Sequence, residues 1–502
     1  MRYSQACKQL LMLTVAGLLV SLTCFSQFSV FAAEKAGEQP KPAESENTGS
    51  LTNKSESKMS AVLHADASEV ISKEESDAVN AEQTAALIEN GGSLTLNKAF
   101  LTKTGDSQDD ARLGYNAILH AKDKNSKAYL VNSKLSADSL NSAGLFSTEQ
   151  AQIYANKTTI STTADQSAAL YASKEGQILV NKLTVATQGK DSAGITADLG
   201  GQISATNSVL STSGSQSPLL SSKGQLEVKN ITGSAGTSPI ASLIGSGNLL
   251  IQDSDLTNST DDRSADTADQ ETPSPISIYS EDAYQDEENR PTASLNISNS
   301  NISSAISSGD LIYLTNTQAN ITLNNNQLTY NNAKVNLLKL AGNNKNMGLA
   351  GSNGAQANLL CLNQDLKGDI EVDSISSLNL TLKEKSIYTG KTKISLNAVN
   401  TNPSDNPITV NISKNSKWIM TADSTISQLN MEKGAKILDK NGKKVNISLA
   451  GQNLVKGNSK YTLTVQESYS PSIPEQAVEE DKVMIDRNDF DNYFKTSTNF
   501  AN

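Results

Sequence analysis

The 502-residue sequence predicts an all-β solenoid, a parallel β-helix built from single strands with roughly fifteen coils. The first observation is a Gly-x-Ile/Leu triplet that recurs at steps of 25, 23 and 23 residues, beginning at Gly176, Gly201, Gly224 and Gly247. The second is Ser followed by Ala or Pro, which recurs at steps of 25, 25, 25 and 21, at Ser142, Ser167, Ser192, Ser217 and Ser238. Two markers that keep a common period indicate stacked structural repeats.

Within each repeat the apolar residues form short alternating clusters, which is the third observation. In one repeat they lie at Ile178 to Val180, at Leu183 and Val185, and at Ile195, with polar and small residues between them. This is the period of strands, and the intervening residues are those of turns. A coil of this length holds about three short strands, each pairing with the same strand of the next coil. A narrow core of this kind suits a chain with 4% aromatic residues.

A ladder of Asn residues is predicted at a repeated corner of the coil. Counting three residues from the apolar anchor of successive repeats reaches Asn97, Asn132, Asn156 and Asn181. Farther along, the ladder shifts by one residue, to Asn207, Asn230 and Asp253. Asn tolerates left-handed backbone, and its amide can bond both its own turn and the turn stacked next to it. We therefore assign the ladder a structural role; a catalytic or ligand-binding role is the alternative.

Residues 1–32 have the features of a secretory signal peptide. Arg2 and Lys8 precede an apolar run, and Ala32 ends a stretch that permits cleavage. One alternative is a lipoprotein attached at Cys24, although the residues before Cys24 suit this poorly. Another is an uncleaved anchor, although polar residues interrupt the second half of the segment. We expect a secreted or cell-surface protein with no membrane span after cleavage.

Removal of residues 1–32 leaves an acidic chain with one cysteine. Without Arg2 and Lys8 there are 40 basic and 53 acidic residues, a net charge of −13. This charge argues against nucleic acid or anionic lipid as a partner. Cys361 has no cysteine left to pair with inside the chain, and its apolar neighbours predict a buried, unreactive thiol. We expect a monomer and predict no cofactor and no metal.

Composition divides the remaining chain into five parts. Residues 33–90 are predicted to be a disordered acidic spacer with a candidate capping helix around Glu82 to Ile88, and 91–258 a first block of coils. Residues 259–292 are predicted to be one coil with long acidic loops, 293–466 a second block of coils and 467–502 a flexible tail. The acidic loops supply candidate partner-contact residues: Asp261, Asp262, Asp282 and Asp286.

Residues 365–440 resemble the C-terminal coils of pertactin-like autotransporter passengers. The resemblance depends on Gly368-Asp369-Ile370, on the alternating run Leu378 to Leu382 and above all on Lys417 to Ser424, which includes Trp418. It implies a right-handed parallel β-helix whose last coils are the most stable, and a protein that commonly acts as an adhesin. Only 37 residues follow Val465, too few for the membrane barrel of that family, so the resemblance is to the passenger alone.

The residues that usually carry chemistry are sparse in this sequence. Outside residues 1–32 there are two histidines, His64 and His120, and four arginines: Arg112, Arg263, Arg290 and Arg487. Asp109-Asp110 and Asp261-Asp262 are isolated pairs in polar stretches, which predicts solvated loops. No Cys/His metal spacing, phosphate-binding Gly loop or nucleophile elbow occurs.

These features predict a non-enzymatic, adhesin-like β-helix protein that binds an extracellular glycan or protein. The alternative is a β-helix carbohydrate-active enzyme, a polysaccharide lyase or hydrolase. Such enzymes place Asp, Arg, Lys and sometimes His on one face of adjacent coils. The two interpretations therefore differ in whether charged side chains of neighbouring coils converge in one groove. The sequence spacing predicts no such convergence.

Overall fold

The computed structural model describes residues 59–72, 75–259, 274–283, 290–343, 347–474 and 484–500. All of them belong to the second of two compact units, Glu56–Asn502, whereas the first, Met1–Ser55, lies outside the described residues. The predicted signal peptide therefore stays a prediction. The described residues form a right-handed parallel β-helix, as the sequence predicts.

Three long sheets run along the solenoid, and the strands of each pair in parallel with those of the next coil. Sheet 1 consists of β1 (Ser60–Asp66), β4 (Gln83–Glu89), β7 (Leu119–Ala121), β10 (Ala143–Ser147), β13 (Ala168–Ala172), β16 (Ile195–Ala197), β19 (Leu220–Ser222), β22 (Ala241–Ile244), β25 (Ile276–Tyr279), β28 (Gly309–Thr315), β31 (Val335–Leu340), β34 (Ile370–Asp373) and β37 (Thr392–Ser395).

Sheet 2 contains the strands that form the candidate site described below. It consists of β2 (Glu69–Ser72), β5 (Ser93–Asn97), β8 (Lys127–Val131), β11 (Gln152–Asn156), β14 (Gln177–Asn181), β17 (Gln202–Thr206), β20 (Gln225–Lys229), β23 (Asn248–Gln252), β26 (Thr292–Ser298), β29 (Gln318–Asn324), β32 (Gln356–Leu362), β35 (Ser377–Lys383), β38 (Ile408–Ile412), β40 (Ser424–Met431), β42 (Asn446–Leu449), β43 (Gln452–Val455) and β44 (Thr462–Ser470).

The third side of the coil is divided between two sheets. Sheet 3 consists of β3 (Glu75–Ala78), β6 (Phe100–Lys103), β9 (Lys134–Ala137), β12 (Thr159–Thr162), β15 (Thr184–Thr187), β18 (Val209–Thr212), β21 (Thr232–Ala235), β24 (Asp255–Asn258), β27 (Asn301–Ser304) and β30 (Gln327–Thr329). Sheet 4 consists of β33 (Asp365–Lys367), β36 (Ile387–Gly390), β39 (Lys417–Met420) and β41 (Lys436–Asp439). A short 3-10 turn, Ala111–Leu113, and one α-helix, α1 (Asn488–Phe494), complete the described elements.

Successive groups of three strands define the coils, from coil 1 (β1 to β3) to coil 13 (β37 to β39), and β40 to β44 follow. The 25-residue period is the strand register, since Gln152, Gln177 and Gln202 are stacked partners in β11, β14 and β17. Inside sheet 2 the apolar residues stack in the same way. Ile153, Ile178 and Ile203 lie in one fully buried column. Parallel pairing at about 4.8 Å keeps such columns in contact and excludes water from the coil.

The two sequence markers have direct structural causes. The Gly of each triplet lies against the backbone of the preceding coil: a Cβ on Gly176 would lie 2.3 Å from the Ser147 carbonyl oxygen, and one on Gly201 would lie 2.0 Å from that of Ala172. The recurring Ser forms a ladder, in which each hydroxyl accepts from the backbone N–H of the previous Ser. Ser167 N–H donates to Ser192 Oγ at 2.9 Å. A side chain in place of the Gly would separate the coils, and the Ser satisfies a buried amide.

The Asn ladder contains two columns instead of one that shifts. Asn97, Asn156 and Asn181 end strands of sheet 2, and the Asn181 amide donates to Asn156 Oδ1 at 3.1 Å. Asn132 and the later Asn residues lie one position on, at a corner with positive φ, which is 50° at Asn132 and 51° at Asn207. The corner amides then stack, as between Asn230 and Asn207 at 2.6 Å. The shift in spacing therefore marks a change of column, and the structural role of the ladder stays a prediction.

The predicted spacer, residues 33–90, is wrong from residue 59 onward. Strands β1 to β4 already form coil 1 and the start of coil 2, and β1 pairs with β4 over six residue pairs. The predicted helix around 82–88 is strand β4, which is buried at Ala85, Ala86 and Ile88. Most outward residues of these first strands are polar, apart from Val62 and Ile71, so the composition is like that of a disordered segment. Pairing with the next coil nevertheless supplies their backbone hydrogen bonds.

Within the interruption at 259–292, the described residues 274–283 contain one strand, β25. Strand β25 pairs with β22 and β28, so Ile276 takes the position that Ala241 holds one coil earlier. The Ile240 N–H donates to the Pro275 carbonyl at 2.8 Å. Among the predicted contact residues, Asp261, Asp262 and Asp286 lie outside the described residues. Asp282 is exposed, and its carbonyl accepts from the Asn316 side chain at 2.7 Å.

The predicted flexible tail, residues 467–502, is also wrong in its described part. Strand β44 continues to Ser470, and residues 484–500, here called the docked segment, pack on the outer face of sheet 2. Helix α1 lies within this segment, and Phe490 is fully buried. Residues 484–500 attach to coils 3 to 7, which are more than 250 positions earlier in the sequence.

Candidate ligand-binding groove

The outer face of sheet 2 is lined by amides because alternate residues of each strand point away from the core. One column contains Gln in the early coils, and neighbouring side chains bond to each other, as between Gln152 and Gln177 at 3.2 Å. In later coils Asn takes over the same column. The members of this column from coil 4 to coil 12 are Gln152, Gln177, Gln202, Gln225, Asn248, Ser294, Asn320, Asn358 and Asn379.

A groove of about 850 Å³ lies over this face from β26 to β40. Its floor includes Asn358 and Asn379, and residues 404–406, which precede β38, contribute to its lining together with Ile473 and Pro474. The Gln428 amide in the floor donates to Asn406 Oδ1 at 2.7 Å, which ties that loop to the sheet.

The central feature of the groove is a continuous ladder of five Asn side chains, here called the amide ladder. Each amide donates to the previous Asn Oδ1, with N–O distances between 2.6 and 3.2 Å. The members are Asn320, Asn358, Asn379, Asn411 and Asn430. An amide has two N–H groups and an oxygen with two lone pairs, and an inner rung uses one of each for the ladder. Asn411 is buried and uses its second N–H for Thr381 Oγ1, at 3.0 Å. The capacity that remains on the other rungs suits a ligand with many hydroxyl groups.

The groove is nearly uncharged. Among the described residues that line it, only Lys383 and Asp405 are ionisable, and both side chains are exposed. Small apolar contributions come from Ala319, Ala357 and Leu360. A polar, neutral lining that repeats once per coil matches an extended polymer better than a compact anion or cation.

A second, smaller cavity of about 210 Å³ gathers charged residues, contrary to the prediction that none converge. Asp110 is an exposed loop residue, and it also caps the turn at Ala111–Leu113 and accepts from Arg112 Nε at 2.9 Å. Tyr171 also lines the cavity, and its hydroxyl donates to Asp198. Burial and the neighbouring Asp198 charge raise the pKa of Tyr171 well above its ordinary value, so it stays protonated.

The other side chains singled out in the sequence, Cys361, His120, Arg290 and Trp418, are buried in the fold. Cys361 is fully buried, as expected, and burial raises the pKa of its thiol. His120 is buried with its ring edge-on to Phe146, and burial lowers its pKa to about 3. Arg290 is also buried, and its Nη1 donates to the Gly354 carbonyl at 2.7 Å. Trp418 is fully buried as well, and its Nε1 donates to the Gly390 carbonyl at 3.0 Å.

His64, Asp66 and Glu89 form a cluster on coils 1 and 2, with one ligand atom of each within 4.8 Å of the others. The Glu89 carboxylate is already bonded to His64 at 2.7 Å and to the Lys122 ammonium at 2.9 Å. The adjacent ammonium group opposes a bound cation. This arrangement is an ion-pair network. It was not predicted from the sequence, because His64 was assigned to the spacer.

The docked segment covers the same outer face in coils 3 to 7, and sequence reasoning missed it. Arg487 is fully buried there, and its Nη1 donates to the Ser204 carbonyl at 2.7 Å and to Ser204 Oγ at 2.8 Å. Glu227 is 2% exposed and accepts from the Ile485 N–H at 2.8 Å. A signal for this docking is present in the sequence: the segment contains four aromatic residues, at Phe490, Tyr493, Phe494 and Phe500, in a chain poor in them.

Glu227 makes the docked segment sensitive to pH. Burial raises the pKa of Glu227 to about 7, although Ile485, Gln225, Arg487 and Ser204 all favour its ionised form. Undocking returns the group to water, where its ordinary value is 4.5. Because the pKa of this carboxyl group is higher in the docked state, protonation of Glu227 favours docking, and its effect is complete below pH 4.5. This contribution to the free energy of docking is about 3 kcal/mol, and it is lost as pH rises through 7.

Glu227→Gln is therefore expected to strengthen docking at pH 8 by up to roughly 100-fold and to leave it unchanged at pH 4.5. The Gln side chain still offers an oxygen that accepts from the Ile485 N–H, and it is neutral at both pH values. The measurement is the hydrogen-exchange protection factor of amides 484–500 at the two pH values. Glu175→Gln, at an exposed position in the same region, is the control. Equal effects at pH 4.5 and 8 would contradict the assigned pKa.

The fold and the groove together define the class of protein: a parallel β-helix with a neutral, amide-lined groove on one outer sheet. No protein-family model and no curated protein match the chain. Among solved structures it is similar to the Dettilon tailspike protein (gp208), at 12% identity and a TM-score of 0.23. That match covers 74% of this chain, and the chain spans 62% of the tailspike's length. Within the described residues, no helix is both long and apolar enough to cross a membrane.

Proposed function

We propose that this chain is a secreted or cell-surface binding protein that holds an extended, neutral glycan along the groove of sheet 2, without chemical conversion of the glycan. The observation that carries the proposal is the amide ladder of Asn320, Asn358, Asn379, Asn411 and Asn430. It presents donors and acceptors at the spacing of the coils, about 4.8 Å. Successive sugar rings of an extended chain can place hydroxyl groups at a comparable spacing.

The charge of the groove supports binding of a neutral ligand. Acidic polysaccharides are recognised by Arg and Lys, which pair with carboxylates. In the part of the lining that the structure describes, Lys383 is the single basic residue and Asp405 the single acidic one. Hydrolysis of a glycosidic bond ordinarily uses a pair of carboxyl groups at a defined separation. One exposed carboxylate supports binding over hydrolysis, and the resemblance of residues 365–440 to adhesin passengers agrees with this.

The second candidate function is a carbohydrate-active enzyme, and the small cavity at Arg112 is the observation that favours it. Arg112, Tyr171 and Asp198 come from different coils, as in β-helix enzymes. These groups are already paired: Asp110 binds Arg112, and Asp198 accepts a hydrogen bond from the Tyr171 hydroxyl. A paired, protonated group is a poor general base. We therefore place binding first.

The test is a glycan array with the purified protein, followed by a titration of the best neutral glycan against Asn379→Leu. This change keeps a side chain of similar size but removes the central rung, so the affinity should fall at least tenfold, or about 1.4 kcal/mol. Gln177→Leu, in the same column of sheet 2 but outside the groove, is the matched control and should bind as the parent does. Absence of glycan binding, or equal losses in both variants, would refute the assignment.

A further inference from the structure

The outer face of sheet 2 under the docked segment has a pit shaped for a guanidinium group. Stacked outward residues in β8, β11, β14, β17, β20 and β23 form one column: Tyr129, Tyr154, Leu179, Ser204, Glu227 and Leu250. Ser204 is the one small member of this column, between Leu179 and Glu227. The gap above Ser204 therefore has a polar base, and the carboxyl group of Glu227 lies at its side.

Arg487 fills this pit with close hydrogen bonds. Besides its two bonds to Ser204, its Nη2 donates to the Val180 carbonyl at 2.9 Å and to Thr206 Oγ1 at 3.4 Å. Its Nε donates to Thr498 Oγ1 at 2.8 Å, within the docked segment. Burial lowers the pKa of Arg487 to about 10, which still leaves it charged at neutral pH. The planar fork of five donors matches this set of acceptors, which a lysine ammonium does not.

Aromatic residues anchor the segment on both sides of the pit. Phe490 packs with Tyr154 and Leu179, and the Arg487 guanidinium carbon lies 4.7 Å from the Phe490 ring centre. Tyr493 stacks on Tyr129, with ring centres 4.0 Å apart. Buried aromatic and Arg side chains are the usual centres of binding energy in interfaces.

The contacts resemble those between a receptor and a ligand more than those of a solenoid core. The cluster of Tyr154, Leu179, Ile485 and Phe490 is separate from the main core cluster of the coils. The pairing of β11, β14 and β17 is continuous beneath it. The segment is also closed on itself, since the Asp491 carboxylate accepts from Thr498 N–H at 2.8 Å and from Thr496 Oγ1 at 2.7 Å.

We propose that the outer face of coils 3 to 7 is a peptide-binding site specific for an Arg-x-x-Phe segment, that residues 484–500 are its exchangeable occupant, and that a second copy of the chain can supply this segment. The motif is Arg487-Asn488-Asp489-Phe490. Docking within one chain is favoured by a high effective concentration, on the order of millimolar for a short linker. Docking between copies becomes significant when the concentration of the chain approaches this effective concentration. This proposal is independent of what the groove binds.

The test uses a fluorescent synthetic peptide of residues 484–500 and the full chain carrying Arg487→Gln and Phe490→Ser. That chain retains Ser204, Glu227 and Tyr154, so its site is intact while its own segment is weakened. We expect saturable binding of one peptide per chain. The unchanged chain should bind the peptide at least tenfold more weakly, because its own segment competes.

Specificity is tested with variant peptides. A peptide with Arg487→Lys should bind at least tenfold more weakly, whereas one with Asp489→Asn, at an exposed position, should bind as the parent does. Adding Ser204→Leu to the weakened chain should fill the pit and abolish binding. Failure of the weakened chain to bind the parent peptide, or equal binding of the Lys peptide, would overturn the proposal.

Hydrogen exchange of the unchanged chain gives a second measurement that does not depend on how the variants fold. An exchangeable segment predicts that amides 484–500 open in a separate step, faster than the amides of β14 and β17 beneath them. Exchange of both groups in a single step would show that the segment is an integral part of the fold, and would equally overturn the proposal.

Discussion

Trp418→Ala is expected to destabilise the C-terminal coils by about 3–5 kcal/mol. Trp418 is fully buried, its ring lies 5.5 Å from that of Tyr388 one coil earlier, and its Nε1 donates to the Gly390 carbonyl. The change leaves a large cavity, an unpaired carbonyl and an aromatic ring without its partner. Chemical denaturation followed by circular dichroism measures the loss. Neighbouring coils share this core, so the effect should extend beyond β39.

The control for this prediction is Ile419→Ala in the same strand, where the side chain is only partly buried. It should cost clearly less than Trp418→Ala. Equal effects of the two changes would mean that the burial of Trp418 does not determine the stability of these coils.

Arg487→Met is expected to release the docked segment. The variant removes the guanidinium donors from the carbonyl groups of Ser204 and Val180, and it removes the positive charge near Glu227. Loss of one partner from a buried, hydrogen-bonded charged group costs about 2–5 kcal/mol. Trypsin should therefore cleave after the exposed Lys495 roughly 30-fold faster or more.

Asn492→Ala, at an exposed position of the same helix, is the matched control and should leave the cleavage rate nearly unchanged. An Arg487→Met chain that resists trypsin as the parent does would show that the aromatic contacts alone hold the segment.

The period of the fold was predictable because the markers lie where coils contact each other. Gly176 and Gly201 lie against backbone carbonyls, and Ser192 satisfies the amide of Ser167, so the same residue type is required once per coil. Strands β1 to β3 could not be predicted from the sequence, because most of their outward residues are polar and only a few of their side chains point into the core. Composition then favours disorder, whereas pairing with the next coil determines the fold.

The two candidate sites were harder to predict for a different reason. The amide ladder is visible in sequence only as scattered Asn residues, because unequal coil lengths hide its register. Asn320 and Asn358 are 38 residues apart, whereas Asn411 and Asn430 are 19 apart. The partners of Arg487 in sheet 2 are about 280 or more residues away. Spacing rules describe neighbouring coils, and they do not reveal where a terminal segment packs.

The most direct test of the proposed function is the affinity of the groove for oligosaccharides of increasing length, taken from the neutral glycan identified on the array and measured by calorimetry. The five rungs of the amide ladder predict that affinity rises with each added sugar and levels off at about five or six units. Asn379→Leu should flatten this rise. A monosaccharide that binds as tightly as the longer chains, or a length dependence unchanged by Asn379→Leu, would contradict an extended glycan site in the sheet 2 groove.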